Sequence, residues 1–224
     1  MGSLDRLKLM LSDENINKLI NTKVLLVGVG GVGGSALEML IRSGITNITI
    51  IDYDKFEESN LNRQILCLRK NIDKFKVDVA KERCLSINSD ANITTINKKL
   101  DDILINELGT YNYIIDACDD LNAKILLVKY AIDNNIKIIS SCGTGNRVDP
   151  TKLYITNIWK TENDPLAKKF RQTLRKENIN YKLNVVTSKE LPIVKGTTVA
   201  SIATVPNAAG ILLASYLIKD IIGK

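Results

Sequence analysis

A mostly parallel, doubly wound α/β sheet with flanking helices is the fold this sequence predicts, on three observations. Short apolar runs alternate with helical stretches over the first 150 residues. A glycine-rich turn, Gly28-Val29-Gly30-Gly31-Val32-Gly33, joins the first apolar run to the first amphipathic stretch. No internal repeat or low-complexity linker interrupts the alternation. A chain of 224 residues buries roughly 70% of its unfolded surface, enough for one core without metal or disulfide support.

Residues 23–29 read as the first strand, and 32–43 as a helix ended by Gly44. Residues 46–51 form the second strand, 74–87 a helix and 92–97 a strand. A buried strand at 113–116 precedes a helix at 123–133 and a strand at 137–140. Beyond Pro150 the pattern loosens, with a strand expected at 152–156. Residues 164–176 form a helix with Asp164 as N-cap and Pro165 in the first helical position. Leu166, Ala167, Phe170 and Leu174 share one face of it, and Lys168, Lys169, Arg171, Arg175 and Lys176 the other. That basic face reads either as a solvated surface or as a docking site for a polyanion. The segment 197–222 is long and apolar, yet Pro206, Asn207, Gly210 and its Ser and Thr residues argue against a membrane span. It reads as a core or dimer-interface helix broken near Pro206.

Composition narrows the chemistry. His is absent, which excludes a Ser-His-Asp triad, a Cys-His dyad and any His-ligated metal. The 4 cysteines, Cys67, Cys84, Cys118 and Cys142, form no C-x-x-C pair, so no zinc site is expected. The N-terminus turns polar by Ser12-Asp13-Glu14, so no signal peptide is read and a cytoplasmic protein with reduced thiols is expected. The net charge of +6 favours polyanionic partners such as nucleic acid. Carboxylates, Lys, Arg and backbone amides suit phosphoryl and adenylyl transfer, which depend on positioned charge more than on a proton shuttle.

The glycine turn lies between a strand and a helix, as in a Rossmann-like nucleotide site. Gly28, Gly30 and Gly33 satisfy G-x-G-x-x-G, and Gly31 is a further glycine within the turn. Asp52 ends the second strand, where a carboxylate accepts hydrogen bonds from ribose hydroxyls, and Asp54 either caps the next segment or shares that role. To this point an NAD-dependent oxidoreductase fits equally well. Three further features favour a triphosphate with Mg²⁺. Asn60, Arg63 and Gln64 lie in the loop after the second strand, Lys76 begins the next helix, and Asp119 follows the strand at 113–116.

Together these residues resemble the ThiF/MoeB/HesA branch of the ubiquitin-activating-enzyme superfamily. The resemblance implies that Arg63 and Lys76 contact ATP phosphates, Asp52 holds the ribose and Asp119 holds Mg²⁺. Arg6 resembles the N-terminal arginine that reaches into a partner subunit's site, which implies a homodimer. Gly143-Thr144-Gly145-Asn146-Arg147-Val148-Asp149-Pro150-Thr151 and Asn163-Asp164-Pro165-Leu166-Ala167-Lys168 look like the tRNA threonylcarbamoyladenosine dehydratase subgroup. The resemblance runs from Arg6 to the last helix. It implies one adenylation domain, with a nucleotide-binding half at 1–150 and a substrate and dimer half at 151–224. Its expected reaction is adenylation of the threonine carboxylate on tRNA, then ring closure with loss of one water. Arg147, Asp149, Lys168, Arg171 and Arg175 are the candidate substrate contacts.

Some relatives carry a cysteine in the strand before the final helix; the stretch 183–187 here has none. Cys118 and Cys142 remain as candidate nucleophiles, against their reading as buried structural thiols. Three other functions stay open: an adenylyltransferase activating a ubiquitin-like sulfur carrier, an NAD-dependent oxidoreductase, and a non-catalytic tRNA-binding module. A sulfur-relay protein partner is also left open, and no membrane association is expected.

Overall fold

The computed structural model describes residues 4–194 and 199–224. Seven strands form one sheet in the order β3-β2-β1-β4-β5-β7-β6. They are β1 (Lys23–Val27), β2 (Asn47–Ile51), β3 (Asn92–Ile96), β4 (Tyr113–Asp116), β5 (Lys137–Ser141), β6 (Leu153–Asn157) and β7 (Asn184–Ser188). All neighbours pair in parallel except β6 and β7. The order reverses between β1 and β4, so their carboxyl ends diverge and leave the crevice where ligands bind in such sheets.

Both faces of the sheet are covered, which is why residues 24–27 of β1 and 113–115 of β4 are buried apolar runs. The helices are α1 (Asp5–Lys8), α2 (Asp13–Asn21), α3 (Gly31–Arg42), α4 (Lys76–Ile87), α5 (Leu104–Glu107), α6 (Leu121–Asp133), α7 (Pro165–Lys176) and α8 (Thr204–Ile221). On one face α3 and α8 pack over Leu26, Ile50 and Ile115. On the other, α6 and α7 pack over Leu25, Ile114 and Val185. The doubly wound architecture is therefore the one expected.

Several boundaries move for identifiable reasons. The first strand ends at Val27 because Gly28 takes φ +88 and turns the chain. Helix α6 begins at Leu121 because Asp120 caps it, accepting from the amides of Asn122 and Ala123 at 2.8 and 3.3 Å. The helix expected over 197–222 starts at Thr204, and residues 195–198 lie outside the described residues. Pro206 causes no break, since it falls in the first turn of α8, where its missing N–H has no intrahelical partner to lose. Helix α2 is an addition: Ser12, in sequence only a polar position, accepts from the Asn15 amide at 3.3 Å and caps it. Helix α7 forms as expected, with Asp164 accepting from the Ala167 amide at 3.0 Å. Among the described residues no helix is long and apolar enough to cross a membrane.

The last helix lies very close to the first one after the glycine turn. A Cβ at Gly210 would collide with the Val32 carbonyl and sit 2.8 Å from the Ala36 amide nitrogen, both backbone atoms of α3. Gly210→Ala should therefore cost about 1–3 kcal/mol through overpacking, read as a shift in the urea midpoint. A midpoint equal to wild type would mean that the two helices can separate freely.

Candidate active site

At the divergence of β1 and β4 lies a cavity of about 880 Å³. Its floor is the glycine turn, where four glycines do two different things. Gly28 and Gly33 face protein: a Cβ at Gly28 would lie 2.8 Å from the Ala117 carbonyl, and one at Gly33 would collide with the Gly28 carbonyl. Gly30 and Gly31 line the cavity; a Cβ at Gly30 would meet only the Gln64 amide, at 3.7 Å, whereas one at Gly31 would press on the Pro206 side chain at 3.2 Å and the Arg63 carbonyl at 3.3 Å. Gly30 caps α3 without a side-chain hydrogen bond, so the first amides of the helix are left to a ligand. Exposed amides, a positive helix end and no side chains make an anion cradle.

Asp52 braces this turn. Its buried carboxylate accepts from the Val29 amide at 2.8 Å and the Asp54 amide at 2.9 Å, while still lining the cavity. Burial raises its pKa above the usual carboxylate value, against the lowering effect of the Val29 hydrogen bond and nearby Lys76. Lys76, itself buried, pairs with the half-exposed Asp54 at 2.8 Å.

The loop at 57–64 supplies the next wall. Asn60 shapes it, accepting from the Glu57 amide at 3.2 Å. Arg63 donates to the Ser59 carbonyl at 2.8 Å and to Asn62 Oδ1 at 3.0 Å, and lines the cavity half-buried. Gln64 is buried, and its Oε1 has no hydrogen-bond partner among the described residues. An orphaned buried acceptor beside a bare glycine cradle fits a ligand that brings both N–H or O–H donors and an anion. A nucleoside phosphate does so.

The opposite wall follows β4. Asp119 is exposed at the cavity edge, and Asp120 pairs with Lys99 at 2.8 Å. Beneath them lies a feature the sequence reading missed. Lys124 and Asp116 are both 0% exposed and joined at 2.9 Å, and Lys124 also donates to the Ser141 carbonyl at 2.8 Å. Burial opposes the charge on Lys124, but Asp116 beside it outweighs this and holds its pKa above the ordinary value. The signal was available: Lys124, Val128 and Ala131 recur at helical spacing on the apolar face of α6.

The candidate substrate residues separate. Arg147 is buried at the cavity wall, its guanidinium donating to the carbonyls of Gly143 (2.6 Å), Gly145 (3.2 Å), Asn163 (3.0 Å) and Glu190 (3.1 Å). It clamps loops together. Asp149 lies outside the cavity and caps a short turn through Thr151, in keeping with the Asp-Pro dipeptide. Arg171 bonds the Thr161 carbonyl at 3.0 Å, Arg175 stacks 5.5 Å from the Trp159 ring, and Lys168 is exposed; none of the three lines the cavity. Lys169, read from sequence only as part of the basic face of α7, does line it. Arg6 is exposed on α1, away from this chain's own cavity. Asp164 is more than the cap its sequence position suggests, since it also accepts from the Gly143 amide and the Thr187 hydroxyl, at 2.9 and 2.8 Å.

Cys118 and Cys142 line the cavity as protonated thiols. Burial pushes both above the ordinary thiol value, and in Cys118 the neighbouring Asp116 carboxylate adds to the effect, accepting from Sγ at 3.0 Å. Cys84 is pushed up to about 12 by burial.

The fold and site define a nucleotide-binding α/β enzyme of the adenylating class, and residues 4–224 match the ThiF family model: the chain belongs to the ThiF family. Within that family, it is 34% identical over 242 aligned residues to the tRNA threonylcarbamoyladenosine dehydratase of Bacillus subtilis (strain 168), covering 99% of this chain and 95% of the relative. The E. coli tRNA N6-threonylcarbamoyladenosine dehydratase, TcdA, is similar in structure, at 30% identity over 96% of this chain and 92% of that one. Its crystal structures in complex with AMP and with ATP give TM-scores of 0.91 and 0.90.

The thiol environments make a direct prediction. At pH 8 the native protein should react with Ellman's reagent far more slowly than free cysteine, while denaturant should release all 4 thiols at once. A fast stoichiometric reaction at Cys118 would identify a thiolate nucleophile instead.

Proposed function

We propose that this protein is an ATP-dependent tRNA threonylcarbamoyladenosine dehydratase acting in the cytoplasm. The observation that carries the reading is the orphaned Gln64 Oε1 beside the Gly30 cradle, in a chain whose fold and sequence follow that enzyme group throughout. The cradle and the amides of α3 hold the polyphosphate. Asp52, still facing the cavity, holds the ribose, and Gln64 accepts a donor of the nucleoside. Arg63 and Lys76 neutralise charge on the phosphates. Asp119 is the residue that would hold Mg²⁺. The ion would supply charge stabilisation for the leaving pyrophosphate.

The chemistry rests on what these residues can do. The threonine carboxylate of the modified adenosine attacks the α-phosphorus of ATP, and pyrophosphate leaves. The carboxylate is then an acyl-AMP with a good leaving group. An atom of the same side chain attacks its carbonyl carbon, a ring closes and AMP departs, so the nucleoside loses one water overall. Tethering of the attacking atom supplies effective molarity on the order of 10⁵ M or more, so the protein need not deliver a nucleophile. That suits a cavity with no histidine and with protonated, buried thiols. Residues 1–150 do the nucleotide's work and 151–224 complete the substrate side and a homodimer, into whose partner site Arg6 reaches. Activation of a ubiquitin-like sulfur carrier is the second reading, and the common adenylation chemistry is what favours it.

Incubation with ATP, Mg²⁺ and tRNA carrying threonylcarbamoyladenosine, followed by mild digestion, should show the nucleoside lighter by one water. The loss should require ATP and fall at least ~100-fold in Asp119→Ala, as expected for a group acting on transition-state charge. No mass change despite ATP binding would move the assignment to a protein substrate. Mixing Arg6→Ala with Asp119→Ala should restore part of the activity, because one site of the mixed dimer keeps both residues; no recovery would rule out the reach in trans.

A further inference from the structure

Among the described residues, cations and carboxylates line the cavity in nearly equal number, and the cations differ in whether a carboxylate neutralises them. Lys76 is paired with Asp54, and Lys99 with Asp120. Lys55 lines the cavity too, but its ammonium lies 4.8 Å over the Phe75 ring. Lys98 and Lys169 line it and are exposed, and among the described residues neither has a hydrogen bond or ion pair with a carboxylate. They enter from different sides. Lys98 stands two residues beyond β3, the strand at one edge of the sheet. Lys169 lies in the second turn of α7, whose start Asp164 ties to Gly143 beyond β5 and to Thr187 of β7. The carboxyl ends of β2, β1 and β4, with the glycine turn, lie between them. Two exposed cations that no carboxylate neutralises, entering the cavity from different sides, are free to hold phosphates of a chain that passes across it.

We propose that Lys98 and Lys169 are the polynucleotide clamp of this site, each holding a backbone phosphate on one side of the nucleotide whose base modification enters the cavity. The clamp rests on the tRNA reading given above and adds to it a surface and a path: the strand lies across the sheet between the β3 edge and α7. It also replaces the basic face of α7 as the docking site. Arg171 is committed to the Thr161 carbonyl and Arg175 to the Trp159 ring, which leaves Lys169 as the α7 cation that faces the cavity.

The test is tRNA binding by fluorescence anisotropy from about 50 to 200 mM salt, alongside binding of a fluorescent ATP analogue. The proteins compared are wild type, Lys98→Ala, Lys169→Ala, the double variant, and Lys23→Ala at the opposite end of the sheet. Each clamp variant should reduce the slope of log K against log salt by about 1, because one phosphate contact is lost. The double variant should bind tRNA at least ~10-fold more weakly at low salt, with ATP affinity within about twofold of wild type. In turnover it should raise KM for tRNA with kcat little changed, and Lys23→Ala should match wild type. An unchanged slope in the double variant would overturn the clamp alone. So would a parallel loss of ATP affinity, which would assign the two lysines to the nucleotide. A wild-type protein that binds no tRNA would take down the tRNA reading and the clamp with it.

Discussion

Two opposite charges with no access to water, Asp116 and Lys124, hold the centre of this molecule together. Their position explains why so much depends on them. Asp116 ends β4, Lys124 belongs to α6, and the Ser141 carbonyl that completes the arrangement ends β5. Three elements thus meet at one ammonium group just under the crevice. Leaving one member of such a pair alone typically costs about 3–5 kcal/mol, against a total stability of about 5–15 kcal/mol for a native domain. The pair also fixes the segment immediately after β4. Asp116 accepts from the Cys118 amide at 3.3 Å, and Ala117 is the residue on which Gly28 rests. The floor of the cavity and the Asp119 edge therefore take their positions from a contact that lies beneath them.

A second set of contacts joins the ends of the chain. Asn207, in the first turns of α8, donates to the Arg63 carbonyl at 3.0 Å and bonds the Ser35 hydroxyl of α3. Asn62 donates to the Ser201 carbonyl at 2.9 Å, 139 residues away. The Arg63 loop is thereby fastened to the far end of the chain, and the bare face at Gly210 is what lets α8 come close enough. The site is built from both halves of the chain, as one continuous sheet would require.

Local physics was legible in the sequence and long-range pairing was not. The glycine turn could be read because strand, turn and helix are adjacent, and the Asp164-Pro165 start of α7 because a cap acts within three residues. The failures involve partners far apart. Arg147 carries charge and sits beside a turn, so it read as a substrate contact; its four carbonyl partners, the farthest 43 residues away, appear only after folding. Asp164 is similar, since its bonds to Gly143 and Thr187 span 21 and 23 residues. On α7, charge alone could not separate Lys169, which faces the cavity, from Lys168, which does not. That distinction needs the helix orientation, which packing of Phe170 and Leu174 sets.

The division of labour among the four glycines has a consequence for descent. Gly28 and Gly33 are required by neighbouring backbone whether or not anything is bound, while Gly30 answers only to what enters the cavity. A lineage that kept this fold but abandoned nucleotide chemistry would go on conserving the first pair and would be free to drift at the third. One short motif thus carries two separately erasable inscriptions, one for architecture and one for catalysis, and a relative that has outlived its chemistry would show it there first.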